Sequence, residues 1–284
     1  MEQVARQYVI DAEKLLKTTS YLEYFSYFKN LKLKEVAKIY QKAANLLESL
    51  GNFEQAAQNY VLSATYYIEL DNTMLSVLNH CNAGNCFKKA RNYKKSTISY
   101  LMVLEQCFEH DLIIKCSSCI AENYFDMGNV AESVQWFEKC IQSNVKIGRD
   151  DLNFDFYDKL GIIYCTYLKR YAIGITLYDK LVELLQKRND ASLHIYCFIS
   201  VLLRILANDD DDNMEFAKKY MDSLDKPFLQ SGYADFLRNI FFLLGKDEKM
   251  LKTCRTYFEK EVAGLKNINV QTLINSVMGL KKMC

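Results

Sequence analysis

Residues 34–93 read KEVAKIYQKAANLLESLGNFEQAAQNYVLSATYYIELDNTMLSVLNHCNAGNCFKKARNY, and this stretch decides the fold. Small and aromatic residues recur in it at helical spacing: Ala37, Tyr40, Ala43 and Ala44, then Ala56, Ala57, Tyr60, Ser63 and Ala64. An aromatic ring three or four residues from an alanine lets one helix press into a shallow spot on the next. Turn signals cut the pattern at Gly51-Asn52, Asp71-Asn72 and Arg91-Asn92. Even spacing of similar helices is the signature of a solenoid.

The same rhythm extends outward. Helices are expected near 3–18, 31–50, 54–70, 73–90, 94–109, 112–127, 131–147, 152–168, 172–188 and 191–207. In the first, Val4, Tyr8, Ala12 and Leu15–Leu16 share one side. Later breaks fall near His110-Asp111, Gly128-Asn129, Gly148 to Asp151, Lys169-Arg170, Asn189-Asp190 and Asn208. Each helix with its turn takes about 20 residues and each hairpin about 40, longer than the ~34 of a tetratricopeptide unit. No period-2 stretch bounded by Gly, Pro or Asn marks a strand. After an acidic run at Asp209 to Asp212, four shorter helices are expected near 213–224, 230–244, 247–263 and 269–281. These suit a small bundle capping the solenoid. The reading is an all-α chain: a tetratricopeptide-like helical-hairpin solenoid over 1–210, a twisted sheet of antiparallel helices, and a C-terminal helical bundle over 211–284.

Composition narrows the function classes. Ten glycines and one proline, Pro227, in 284 residues leave little room for β-turns and favour helix. Half the residues are hydrophobic, enough for a substantial core. The net charge of +1 provides no global basic field, so no nucleic-acid partner is expected. The N-terminal MEQVARQYVIDAEKLLK is amphipathic and lacks the apolar segment of a secretory signal. The ten cysteines therefore read as reduced, mostly buried small hydrophobes of a soluble, cytoplasmic protein. No apolar run approaches the ~20 residues needed to span a bilayer.

A search for catalytic chemistry finds none. His80, His110 and His194 have no acidic or hydroxyl partner at a recognisable spacing. Cys116-x-x-Cys119 is a single pair without the further ligands of a zinc site, and i, i+3 cysteines are common core neighbours. Asp209 to Asp212 lacks the glycine and bidentate glutamate of a calcium loop and reads as a solvated connection. No phosphate loop, dinucleotide fingerprint, nucleophile elbow or HExxH occurs, so no catalytic residue, metal or cofactor is expected.

Two features remain open to function. Lys88-Lys89, Lys94-Lys95 and Lys115 lie at or near helix ends in successive repeats. They are either ordinary lysines favoured by helix C-termini or a basic stripe suited to an acidic rod. The second feature is YLEYFSYFKN, Tyr21 to Asn30, which matches neither a helical stripe nor a strand alternation and reads as a loop. Its Tyr21, Leu22, Tyr24, Phe25, Tyr27 and Phe28 either fold back on the first hairpin or meet a membrane interface, where tyrosine rings are at home.

Particular segments carry a family resemblance: DAEKLLK (Asp11 to Lys17), KIYQKAAN (Lys38 to Asn45) and, most specifically, AGNCFKKA (Ala83 to Ala90). IAENY (Ile120 to Tyr124) and FAKKYMDSL–KPF (Phe216 to Phe228) support them. The chain resembles the soluble NSF attachment proteins, SNAPs, which couple SNARE complexes to a disassembling AAA ATPase. The resemblance covers nearly the whole chain from about Ala12 and weakens after residue 130. It implies fourteen helices in a twisted sheet with a C-terminal bundle, and the pattern read directly also contains fourteen.

The resemblance further implies a non-enzymatic adaptor, cytoplasmic and peripherally associated with membranes. Its partners would be the four-helix SNARE complex and an NSF/Sec18-type ATPase. It places a membrane-attachment loop at YLEYFSYF, although Glu23 and the missing paired glycines depart from the family pattern. Among the basic positions the family uses against SNAREs, Lys115 is kept and another falls at or beside Lys159, joining Lys88 and Lys89 as candidates. ATPase contact falls in the last helices, around Leu280, Lys281 and Lys282. The family's acidic, leucine-ended tail is replaced here by a shortened basic one, which implies weaker ATPase stimulation. The alternative function is a general helical-repeat scaffold without a role in SNARE disassembly. An enzyme with a site assembled across repeats is a third reading that no cluster of titratable residues supports.

Overall fold

The turn signals of the sequence are left-handed residues that end one helix and start the next. In this computed structural model, which describes residues 1–18, 26–207 and 211–244, Gly51, Asp71 and Arg91 have φ of 78°, 53° and 59° and stand twenty residues apart. Each is followed by an asparagine, and each pair closes its helix in the same way. The Gly51 amide donates to the Glu48 carbonyl at 3.0 Å and the Asn52 amide to that of Leu47 at 2.9 Å. The bonds repeat at Asp71-Asn72 and Arg91-Asn92. This double bond satisfies carbonyls that the helix end would leave orphaned. Asn72 and Asn92 then accept from the Leu75 and Lys95 amides at 3.1 and 3.3 Å, capping the following helix.

The chain divides into two compact units, Met1–Ser143 and Asn144–Cys284. The first contains α1 (Glu2–Lys17), α2 (Ser26–Ser49), α3 (Phe53–Glu69), α4 (Thr73–Lys89), α5 (Tyr93–Gln106), α6 (His110–Asp126) and most of α7 (Val130–Lys146). From α1 to α6 each helix packs on the next, and from α2 onward the short turns make neighbours antiparallel. Tyr40, Tyr60, Ala43 and Ala44 are buried between neighbours, as their spacing predicts. Tyr60 and Tyr100, forty residues apart, occupy the same place in successive hairpins. Their hydroxyls donate to Asn45 Oδ1 and Asn85 Oδ1, each at 2.7 Å. Burying such a ring contributes on the order of 2 kcal/mol, and the hydroxyl bond avoids the cost of an unmade partner.

Three local expectations are corrected. YLEYFSYFKN is not a loop to its end: Ser26 already opens α2, while Tyr21, Leu22, Glu23, Tyr24 and Phe25 lie outside the described residues. In α1 the buried positions are Ala5 and Ala12, and Val4 is 49% exposed. The inward stripe therefore begins one residue later than expected. The break placed at His110-Asp111 falls at Cys107 to Glu109, because α6 starts at His110.

The second unit begins with a 3-10 turn at Asp150–Asn153, then α8 (Phe154–Ile162) and a π-helical turn at Ile163–Tyr167, where one continuous helix was expected. It continues through α9 (Tyr171–Arg188), α10 (Leu193–Leu206), α11 (Asp211–Asp222), the short α12 (Lys226–Leu229) and α13 (Gly232–Leu244). A helix that is apolar all round belongs inside. α10, LHIYCFISVLLRIL, is buried along almost its whole length and packs on α9, α11 and α13. Its one charge, Arg204, pairs with Asp179 of α9 at 2.6 Å and stacks under the Tyr220 ring of α11 at 3.4 Å. A buried charge demands such partners.

The helices expected near 247–263 and 269–281, with Leu280, Lys281 and Lys282, lie outside the described residues. So do Asp209 and Asp210 of the acidic run. Among the described residues there is no strand, and no helix is long and apolar enough to cross a membrane.

Candidate partner-binding face

Of the basic residues singled out in the first unit, Lys88 and Lys89 lie on α4, Lys94 and Lys95 on α5, and Lys115 on α6. Two adjoining clefts run along α4, one of about 500 Å³ that includes Lys115 and one of about 470 Å³ that includes Lys88 and Lys89. Asn82, Asn85 and Tyr100 line both. The structure thus gathers three of the four predicted lysines on one surface. Lys159, half-buried on α8, belongs to the second unit and is described there alone.

The charge on this surface differs from a plain basic stripe. Lys88 pairs with Glu122 of α6, and Lys89 with Glu48 of α2 at 2.9 Å. Carboxylate and ammonium groups therefore alternate along the ends of α2, α4 and α6. The neighbouring layer repeats the device: Lys95 at the start of α5 meets Glu54 at the start of α3 at 2.7 Å. Lys89 and Lys95 also lie over the Phe53 and Phe87 rings, at 5.1 and 5.4 Å from their centroids. Burial raises the Glu48 carboxyl pKa, but hydrogen bonds from Lys89 and Tyr60 outweigh it and hold the group below its ordinary value. The Glu48 bond in turn raises the Lys89 ammonium pKa. Exposed pairs of this kind contribute about 0–1 kcal/mol each, so their main effect is to cancel charge. Lys115 is exposed on α6 and makes no ion pair among the described residues.

The first cleft is chiefly apolar. Met74 and Phe108 at its edge are 82% and 95% exposed. Among the described turns from α2 to α6, Phe108 stands in the one that lacks a left-handed residue, where Cys107 ends α5 in an extended conformation. At the other end of the unit, Tyr27 and Phe28 of the first turn of α2 are 67% and 41% exposed. Their rings meet edge to face with centroids 5.5 Å apart. Of the six residues predicted for membrane attachment, these two are the ones the structure describes.

Sequence reasoning missed the carboxylates that answer the lysines. A signal was present: Glu48–Lys89 and Glu54–Lys95 are both separated by 41 residues, one hairpin repeat plus one position. It becomes readable only once the repeat places the two helix ends side by side. The reading also missed Cys81, whose sulfur lies 3.9 Å from that of Cys116. Among the described residues no group of three or more His, Cys, Asp or Glu is arranged to hold a metal ion.

A family model described as "Soluble NSF attachment protein, SNAP" matches residues 3–259. The chain belongs to that family. The match extends through the turns, the α4–α6 surface and α10, and so reaches into both units of this SNAP-family chain. No curated protein matches it. Among solved structures, the crystal structure of BtubC (BKLC) from P. vanneervenii is similar at 13% identity, with a TM-score of 0.48. That comparison covers 79% of this chain and 92% of the other. The Rap conjugation gene regulator of the plasmid pLS20, in complex with the Phr* peptide, is similar at 15% identity and a TM-score of 0.38. It covers 90% of this chain and 71% of that one.

Proposed function

We propose that this SNAP-family chain is a non-enzymatic adaptor. It binds the four-helix SNARE complex and recruits an NSF-type AAA ATPase, which disassembles that complex in vesicle fusion and intracellular protein transport. The observation that carries the reading is the family match over residues 3–259. The partner hydrolyses ATP, and this chain holds the load and transmits force to it.

Repeated hairpins offer a long surface to a rod-shaped partner. On it, Lys115 carries the unneutralised charge, while Lys88 and Lys89 reach an acidic rod by exchanging one carboxylate partner for another. Such exchange gives orientation and steering more than affinity. Lys159, on the second unit, is a further lysine for the SNARE complex. Tyr27 and Phe28, with Tyr21, Leu22, Tyr24 and Phe25 before them, rest at a membrane interface. The chain is thereby peripheral to membranes and cytoplasmic, with SNAREs as the second anchor that weak lipid contact requires. Leu280, Lys281 and Lys282 contact the ATPase.

A pull-down on an immobilised SNARE bundle, with and without the ATPase, tests the reading. The chain should be retained by the bundle alone and should itself retain the ATPase. Binding to other helical peptides but not to SNAREs would instead favour a general helical-repeat scaffold.

A further inference from the structure

Four cysteines of the first unit converge on one apolar cluster: Cys81 of α4, Cys107 just after α5, and Cys116 and Cys119 of α6. The sulfurs of Cys81 and Cys116 are 3.9 Å apart although the residues are 35 positions apart in sequence. Both thiols, with Cys107, line the cleft of about 500 Å³ beside Lys115, so a small oxidant has a path to them. We propose that Cys81 and Cys116 are a peroxide-sensitive thiol pair that closes to a disulfide between α4 and α6.

The environment assigns the two thiols different roles. The Cys116 S–H bond stabilises a thiolate at Cys81, and the Lys115 ammonium adds to it, so the Cys81 pKa lies below the ordinary thiol value. The same bond, followed by burial, raises that of Cys116 and keeps it protonated. Elsewhere burial pushes Cys86, Cys165 and Cys197 up to about 12, which makes them inert. Cys81 is only half-buried where it lines the cleft whereas Cys116 is buried, so Cys81 is the attacking sulfur and Cys116 the resolving one.

The chemistry balances with hydrogen peroxide as the oxidant. The Cys81 thiolate attacks one peroxide oxygen, the O–O bond breaks, and hydroxide leaves from a Cys81 sulfenic acid. The Cys116 sulfur then attacks the Cys81 sulfur. The S–O bond breaks, the Cys116 proton goes to the departing oxygen, and water is released. Once the hydroxide takes up the proton that Cys81 released on ionising, two thiols have lost two electrons and one peroxide has become two waters. The sulfurs must close by about 2 Å to reach a bond of about 2.05 Å. The product links α4 to α6 across α5 and fixes the floor of the cleft.

The inference does not depend on the adaptor reading, and it is tested on the full reduced chain. Hydrogen peroxide should remove two of the ten titratable thiols, and peptide mapping should find Cys81 joined to Cys116. In Cys116→Ser, Cys81 should accumulate as a sulfenic acid that dimedone labels, while Cys81→Ser should give neither label nor link. The proposal is overturned if no thiols are lost, if mapping joins other cysteines, or if Cys119→Ser removes the link while Cys116→Ser spares it. Mapping of the unmutated chain decides the matter even if a serine variant fails to fold.

Discussion

Gly84 of α4 lies directly against the ring of Tyr100 of α5: a Cβ on Gly84 would stand 2.7 Å from that ring. The ring cannot easily retreat, because it is buried and its hydroxyl is bonded to Asn85. Gly84→Ala should therefore destabilise the chain. Overpacking costs about 1–3 kcal/mol, against a gain of about 1 kcal/mol in helix propensity. A net loss of about 1 kcal/mol in chemical denaturation is expected. Gly232 at the start of α13 has open space around its Cβ position, so Gly232→Ala should be neutral or stabilising. Loss of equal size at both positions would contradict the contact.

His80 occupies the place that Tyr60 and Tyr100 take in the helices before and after it. It is buried, its two ring nitrogens have no partner among the described residues, and burial lowers its pKa. The unfolded chain then binds the proton more readily than the folded one. The stabilising difference is full above the unfolded value of about 6.5 and is lost as pH falls from there through the folded value. The urea midpoint of the wild type should drop between pH 7 and pH 5 by more than that of His80→Leu. Parallel drops would show that His80 carries no such linkage.

Charge reversal should separate the lysines. Lys115→Glu is expected to weaken SNARE binding about tenfold at low salt without changing the thermal midpoint, since Lys115 makes no ion pair among the described residues. Lys88→Glu places two carboxylates together at Glu122 and should lower stability as well as binding. The wild-type affinity should fall as salt shortens the screening length below about 8–10 Å. Binding that is indifferent to salt and to Lys115→Glu removes the lysine from the interface.

Tyr27 and Phe28 can be tested together because both are exposed and their rings meet edge to face. Tyr27→Ser/Phe28→Ser should reduce flotation with liposomes and leave the thermal midpoint in place. Unchanged flotation with a lower midpoint would make the pair part of the hairpin's cover.

The repeat was legible because its turns are local chemistry. Gly51, Asp71 and Arg91 are each followed by asparagine, and the alanine–tyrosine spacing of α2 and α3 needs no distant information. The α5–α6 turn was misplaced because Cys107-Phe108-Glu109 contains no glycine or asparagine to announce it. The first turns of α2 were hidden by a density of aromatics at Tyr24 to Phe28 that masks any stripe. What escaped entirely was pairing across hairpins. Glu48 with Lys89, Glu122 with Lys88, and Cys81 with Cys116 meet only after the solenoid has formed. Lys88, Lys89 and Lys95, which the sequence left open between ordinary helix-end lysines and a basic stripe, are thereby neutralised.

ATP-driven release of subunits from a labelled SNARE bundle, with the NSF-type ATPase fixed and this chain titrated, tests the adaptor reading most directly. The account predicts that release is absent without the chain, rises with its concentration to a plateau, and needs a higher concentration for Lys115→Glu. Release that proceeds at the same rate with and without the chain, or none at any concentration, would contradict it.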